Sequence, residues 1–338
     1  MSISTANKLL VIRFSSMGDV AMTVPVLRTL LLQHSSLKVI MISQQACAPL
    51  FDGIERLQFI GADLKGRHRG AIGVWKLYKE VYKIAGTISV ADLHNVLRSQ
   101  LLSFFFKING SRIVSLDKGR NEKRALTRRN HKVLKPLVTT FERYAQVFSL
   151  LGYAVQLEKS VVLKKETKPV NIKIGFAPFA KHLGKSLPIP IAKQFIATLL
   201  ESVPCQLFLF GGAGREAAQL ALWEQEFPSV KNMAGQLALS QELQFMATLD
   251  LMITMDSANM HLASIVNTPV ISIWGATHPF AGFLGWGQSI SQVVQTDLSC
   301  RPCSVFGNKP CFRGDYACLQ QIQPAHIVQQ VRSYLCIS

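Results

Sequence analysis

Between Asp250 and Gly275 the chain reads DLMITMDSANMHLASIVNTPVISIWG, and Asp256, Ser257, Asn259 and His261 stand together between two apolar runs. LMITM has the composition of a buried strand, while Met260, Ala263 and Ile265/Val266 recur at helical spacing, so the pattern predicts strand, polar turn, short helix and second strand. Asn267 and Pro269 predict the helix end. A helix that opens at the carboxyl end of a buried strand aims unbonded N–H groups outward, which makes a seat for an anion. In an open parallel sheet, ligands bind in the crevice beyond those strand ends. The chemistry predicted near residue 257 is recognition of a phosphate.

Three more clusters bear on that chemistry. Ser15-Ser16-Met17-Gly18-Asp19 follows the apolar run KLLVIRF. Ser and Asp in a first helical turn serve as a cap; equally, Gly18 admits a ligand closely and Asp19 can act as a general base. The residues leave both open. Phe179–Pro188 carries Lys181 and Lys185 on either side of Gly184, which suits a diphosphate clamp or a plain solvated loop. Phe210-Gly211-Gly212-Ala213-Gly214-Arg215-Glu216 places glycines where a strand gives way to a helix, but matches neither the dinucleotide fingerprint nor the P-loop. Cys300, Cys303, Cys311 and Cys318 offer enough thiols for tetrahedral zinc. The second pair is spaced more widely than a zinc site favours, so reduced thiols or a local crosslink are expected and no metal is assigned.

Strands must deliver these groups. Apolar runs predict strands over Lys8–Phe14, Leu37–Ser43, Thr87–Leu93 and Ser111–Leu116, with helices over Val20–His34 and Val74–Ala85 between them. Lys118–Lys135 lacks apolar periodicity and is expected to be a surface loop. After Pro136, Leu137, Phe141, Tyr144, Phe148 and Leu151 share one helical face that Gly152 ends. Leu157–Asn171 has the polar, Lys-rich make-up of a connector. Strand and helix then alternate again: IKIGFAP, a helix from Pro190, QLFLFGG, a helix near Gly214–Phe227, the segment described first, and a last helix over Pro324–Leu335. Two alternating series predict an α/β protein with two doubly wound parallel sheets facing across a cleft. The expected boundaries are an acceptor-binding domain over 1–165, a nucleotide-sugar domain over 170–322 and a C-terminal helix over 323–338.

The 338 residues are 49% hydrophobic and 17% charged, ample for two cores. No charged-then-apolar leader stands at Met1–Leu10, and Pro, Gly and His interrupt the apolar stretches, so a cytoplasmic protein is expected. The net charge is +17. Residues 1–169 hold 27 Lys/Arg against 11 Asp/Glu, and residues 170–338 hold 10 against 9. That imbalance predicts an anionic partner on the first half, docked on Arg120–Lys135 or around Lys65, Arg67 and Arg69. A nucleic-acid-binding protein is the rival from another class; no helix-turn-helix, zinc-finger or RNA-binding signature supports it.

Taken in order, VIRFSSMGDVAMTVPVLRTL, ADLHNVLRSQ, IGFAPFAKHLGKSLPIP, FLFGGAGRE, MDSANMHLAS and IWGATHPFAGF resemble glycosyltransferase family 9, the ADP-heptose:lipopolysaccharide heptosyltransferases. The resemblance implies a GT-B-like fold and an inverting transfer of heptose from ADP-heptose to the phosphorylated inner core of lipopolysaccharide. It implies no cofactor and peripheral contact with the inner membrane. Transfer of another nucleotide-activated sugar to an envelope glycolipid is the alternative within the class. By resemblance, Asp19 is the catalytic base and Lys185 meets the donor diphosphate. Gly18, Lys181, Gly211, Gly212, Glu216 and the run Asp256, Ser257, Ala258, Asn259, Met260 and His261 complete the donor and cleft contacts. Two positions depart from the family: Ala180-Lys181 replaces a frequent Thr pair, and Ala258 a frequent Gly.

Overall fold

The computed structural model describes residues 8–158 and 171–337. In chain order the elements are β1 (Lys8–Ile12), α1 (Met17–Ala21), α2 (Thr23–Gln33), β2 (Lys38–Gln44), β3 (Leu57–Ala62), α3 (Gly70–Ala85), β4 (Ser89–Asp92), α4 (Leu97–Ile108) and β5 (Ile113–Ser115). Next come α5 (Arg120–Leu126) and α6 (Thr140–Leu150). The rest is β6 (Ile172–Ala177), α7 (Ile189–Ser202), β7 (Cys205–Leu209), α8 (Arg215–Glu226), β8 (Val230–Asn232), α9 (Leu239–Ala247), β9 (Leu251–Met255), α10 (Ala258–Ile265), β10 (Val270–Trp274), β11 (Val293–Gln295), α11 (Ala317–Gln320) and α12 (Pro324–Leu335). The Lys-rich connector predicted at Leu157–Asn171 falls mostly outside the described residues.

Contacts divide the chain into two compact units, Met1–Gly119 with Thr139–Glu158, and Arg120–Val138 with Lys159–Ser338. The first holds a five-stranded parallel sheet of order β3-β2-β1-β4-β5, the second a six-stranded parallel sheet of order β11-β10-β9-β6-β7-β8. Parallel strands covered by helices on both faces must be apolar throughout, and every residue of β9 and β10 is buried. The fold is α/β and GT-B-like, with a separate core under each sheet: Leu10, Ile12, Leu77, Leu102 and Phe106 in the first, Phe176, Phe195, Leu209, Ile253 and Ile271 in the second.

Three expectations need correction. The helix expected over Val20–His34 is two helices, broken at Met22. Pro25 gives the reason: an interior proline has no N–H to donate, and its ring clashes with the carbonyl four residues back, here that of Ala21, the last residue of α1. Leu137 is not part of the helix after Pro136; a capping box at Thr139 and Glu142 starts α6, and the Leu137 N–H donates to the Phe280 carbonyl.

The third correction is the largest. Lys118–Lys135 is not a free loop of the first half. Arg120–Leu126 is helical, Leu126 is buried, and the segment is fastened to the second unit. Lys132 Nζ donates to the carbonyls of Ser299 and Arg301 at 3.1 and 2.8 Å. Lys123 and Arg129 lie over the rings of Phe283 and Phe312, at 4.8 and 4.7 Å. Cationic side chains here do the docking that apolar ones usually do. The charge asymmetry goes with it. Counted by unit, 16 Lys/Arg and 9 Asp/Glu fall in the first and 21 and 11 in the second, net +7 and +10. The second unit is not the neutral one.

Candidate active site

Each sheet has one point where the strand order reverses, and ligands of doubly wound folds sit outside the strand ends there. In the first unit that point lies between β1 and β4, which pair in parallel as Ile12 with Asp92. The chain leaving β1 makes Arg13 and the turn into α1. Asp19 sits in the first turn of α1, and its Oδ2 takes the Arg13 guanidinium at 2.8 Å and the Ser16 hydroxyl at 2.7 Å. Arg13 Nη1 donates to the Leu93 carbonyl at 2.8 Å, so one side chain ties the ends of both strands together. Cap and functional setting therefore coincide at Asp19: the carboxylate closes the helix and is held at the switch point.

From the other strand, Asp92 is fully buried and its carboxylate accepts from the backbone N–H groups of His94 and Asn95 and from the Ser99 hydroxyl, at 2.8–2.9 Å. Burial pushes this carboxyl up while the three donors hold it back. The turn it builds sets the His94 ring edge-on to Phe14, with centroids 5.9 Å apart. His94 Nδ1 is buried with no hydrogen-bond partner among the described residues. Burial, then the charges of Arg13 and Lys118, push His94 down to about 3, so the ring is neutral at ordinary pH.

The second unit repeats the layout. Its reversal lies between β6 and β9, paired in parallel as Ala177 with Thr254. β6 leads to the single 3-10 turn Leu183–Lys185, and β9 leads to Asp256 and α10. Lys185 Nζ meets Asp256 Oδ2 at 3.0 Å, with the lysine side chain 17% exposed and the carboxylate 5%. Ser257 stands at the N-cap position of α10 without a side-chain capping bond, and the first N–H groups of the helix have no intrahelical acceptor. A cation, a helix N-terminus and a strand-end crevice thus converge where a diphosphate would be bound.

The loop after β11 braces this arrangement. Gly307 has φ +70°, and a Cβ there would lie 2.4 Å from Lys185 Cγ, so the loop backbone lies directly against the lysine stem. Arg301, 5% exposed, anchors the same loop: it donates to the carbonyls of Trp274, Gly275, Thr296 and Thr277 and to the Gln295 side-chain oxygen. Its hydrogen-bond partners are all neutral oxygens.

The profile of glycosyltransferase family 9 (heptosyltransferase) matches residues 75–310. The chain belongs to this family. The match spans Lys185 and Asp256 and begins after Asp19. The chain is 23% identical over 327 residues to a lipooligosaccharide heptosyltransferase 2 of Campylobacter jejuni, covering 94% of this chain and 95% of that one. A protein of the same name from another strain of the species is 24% identical over 213 residues, and there the match spans 66% of that protein. The fold resembles the solved Escherichia coli heptosyltransferase WaaC with ADP, at TM-score 0.68 and 18% identity over 97% of this chain and 99% of that one. The protein is a glycosyltransferase.

Of the residues assigned by family resemblance, the structure pairs Lys185 with Asp256 and sets Ser257, Ala258 and Asn259 at the start of α10, with Met260 and His261 buried behind them. Gly211 and Gly212 lie just beyond the neighbouring strand β7, where Glu216 accepts from the Gly212 N–H at 2.6 Å. A Cβ on either glycine would press on Glu216, so these three residues close their own turn. Lys181 is exposed on the loop before Lys185. Gly18 is buried in α1 beside Asp19. Among the described residues, no group of three or more His, Cys, Asp or Glu side chains is set to hold a metal. Arg13, His94, Arg301 and Gly307 were missed. Arg13 had a signal, a cation between Ile12 and Phe14 in an apolar run; Arg301 and Gly307 had none.

Proposed function

We propose that this family 9 glycosyltransferase moves a heptose from ADP-heptose to the phosphorylated inner core of lipopolysaccharide, by direct displacement with inversion at the anomeric carbon. The observation that carries the donor half is the Lys185–Asp256 pair at a sheet switch point in front of α10. Lys185 and the first N–H groups of α10 stabilise the leaving diphosphate as its charge grows in the transition state, and Asp256 holds the ammonium in place for that task. This positive field gives the leaving group its stabilisation from the protein itself, so the reaction calls for no cofactor. Asp19, fixed by Arg13 and Ser16, takes the proton of the attacking acceptor hydroxyl.

The curated relatives named lipooligosaccharide heptosyltransferase and the solved heptosyltransferase with ADP support heptose and ADP as the donor parts. The acceptor is anionic, which suits a chain of net charge +17. No helix among the described residues is long and apolar enough to cross a membrane, and the proposed contact with the inner membrane is peripheral, from the cytoplasmic side. The test is turnover of a panel of nucleotide sugars with truncated core acceptors. ADP-heptose is expected to give the highest kcat/KM. A higher value for another nucleotide sugar would replace the donor and retain the fold-level reading.

A further inference from the structure

A cavity of about 530 Å³ lies within the second unit, between the end of α5 and the loop that follows β11. Arg124, Arg128 and Arg129 line it from one side, and Cys300, Cys303 and Lys309 from the other. No Asp or Glu lines it. Among the described residues, Arg124, Arg128 and Lys309 have no carboxylate partner within ion-pair distance. Arg129 is held over the ring of Phe312, which also lines the space. Both walls are fixed: Lys132 bonds the backbone at Ser299 and Arg301, and Arg301 is buried with its hydrogen bonds spent on neutral oxygens. Four like charges gathered around one concavity repel one another, and among the residues that line it no carboxylate offsets them.

We propose that this cavity is a binding site for a phosphoryl group, separate from the diphosphate seat at Lys185 and Asp256. Three guanidinium forks and an ammonium match the oxygens of a phosphate dianion, which guanidinium binds in bidentate fashion. The volume admits a phosphorylated sugar rather than the ion alone. Its source is either a phosphate on the acceptor core or a free phosphate. The first choice rests on the proposed function; the existence of the site does not. Gly307 belongs to the same loop and touches the Lys185 stem, so an anion in the cavity would also steady the wall against which the donor lysine is packed.

Cys300 and Cys303 make the site readable. Their alkylation by iodoacetamide, a neutral reagent, is followed by peptide mass spectrometry at constant ionic strength, with the intact protein. Inorganic pyrophosphate and a phosphorylated core oligosaccharide are each expected to slow both thiols about fivefold or more, and the phosphatase-treated oligosaccharide to leave them unchanged. In the triple variant Arg124→Gln, Arg128→Gln, Lys309→Gln, all of exposed side chains, the protection disappears while ADP affinity stays at the wild-type value. Protection by pyrophosphate without protection by the oligosaccharide supports the site and assigns it to free phosphate. Absence of protection by either, or equal protection in the triple variant, overturns it. Sugar transfer measured in parallel separates this outcome from the donor reading: a working transferase with an unprotected cavity loses only the cavity.

Discussion

Replacing Lys185 by Met and Asp256 by Asn, singly and together, separates what the pair does for the fold from what it does for the donor. At 3.0 Å two unit charges attract by about 5.5 kcal/mol at an effective dielectric of 20. Desolvating both ions takes back much of this, and the lysine, 17% exposed, is partly screened. Lys185→Met keeps the stem against Gly307 but leaves the Asp256 carboxylate buried without its counter-charge, a loss of about 3 kcal/mol at the low end of the range for broken buried pairs. For a unit of this size that is a fall of roughly 6–12 °C in Tm. Asp256→Asn should cost less, about 1–2 kcal/mol, because an ammonium on a flexible stem reaches water more easily. The double variant buries no ion and should recover to within about 1 kcal/mol of wild type, a coupling of about 3–5 kcal/mol. ADP affinity should not follow stability. It should fall about tenfold or more in both variants that lack the lysine, while adenosine, with no phosphate to lose, binds as before. Unfolding by heat and urea gives the first quantity and titration calorimetry the second. Simple addition of the two stability losses would refute the coupling. ADP affinity that returns together with stability in the double variant would refute the role of Lys185 as a diphosphate ligand.

Asp19→Asn should lower turnover by about 10²–10⁴ with ADP affinity unchanged; wild-type turnover would remove the base assignment, and lost ADP affinity would point to a structural role. His94 gives a pH effect of known sign. An unfolded histidine takes its proton near 6.5 and His94 only at about 3, so the unfolded chain binds the extra proton between those values. Stability should therefore fall as pH drops from about 6.5 toward 3, by up to about 1.4 kcal/mol per pH unit from this residue. His94→Gln should flatten that slope in urea midpoints taken at pH 7 and pH 5, and an unaltered slope would mean the proton goes elsewhere. Gly307→Ala places a β-carbon against Lys185 in a left-handed backbone, a strain of about 1–2 kcal/mol before any clash. Tm and ADP affinity should both drop, and a variant indistinguishable from wild type in both would show that the loop yields freely.

The strand–turn–helix at Asp250–Gly275 was legible because its signals are local: two largely apolar runs, a polar turn and a Pro-marked end, all within 26 residues. The capping place of Asp19 in the first turn of α1 was legible for the same reason. Partnerships were not. Lys185 and Asp256 are 71 positions apart and meet only because β6 and β9 are neighbours in the sheet, which no spacing rule reveals. Arg120–Val138 was misread because the usual signal of docking is apolar periodicity. Here Lys123, Arg129 and Lys132 dock instead, on aromatic rings and carbonyls more than 150 residues away. That error carried the charge argument with it, since the sum over the first 169 residues mixed two physical units.

The excursion of Arg120–Val138 into the second unit has a practical consequence for dissecting the enzyme. A fragment cut at the Lys-rich connector would have neither half whole: the upstream piece would carry a cationic arm with nothing to pack on, and the downstream piece would lack the arm that bonds Ser299, Arg301 and Phe280. Gly119 lies against the guanidinium of Arg143, in the first turns of α6, so the chain leaves and rejoins the first unit at nearly the same place. The segment is thus laid out like a cassette inserted into one parent fold and read by another. Isolating the second unit calls for splicing residues 120–138 onto it, and isolating the first calls for closing 119 to 139 with a short linker.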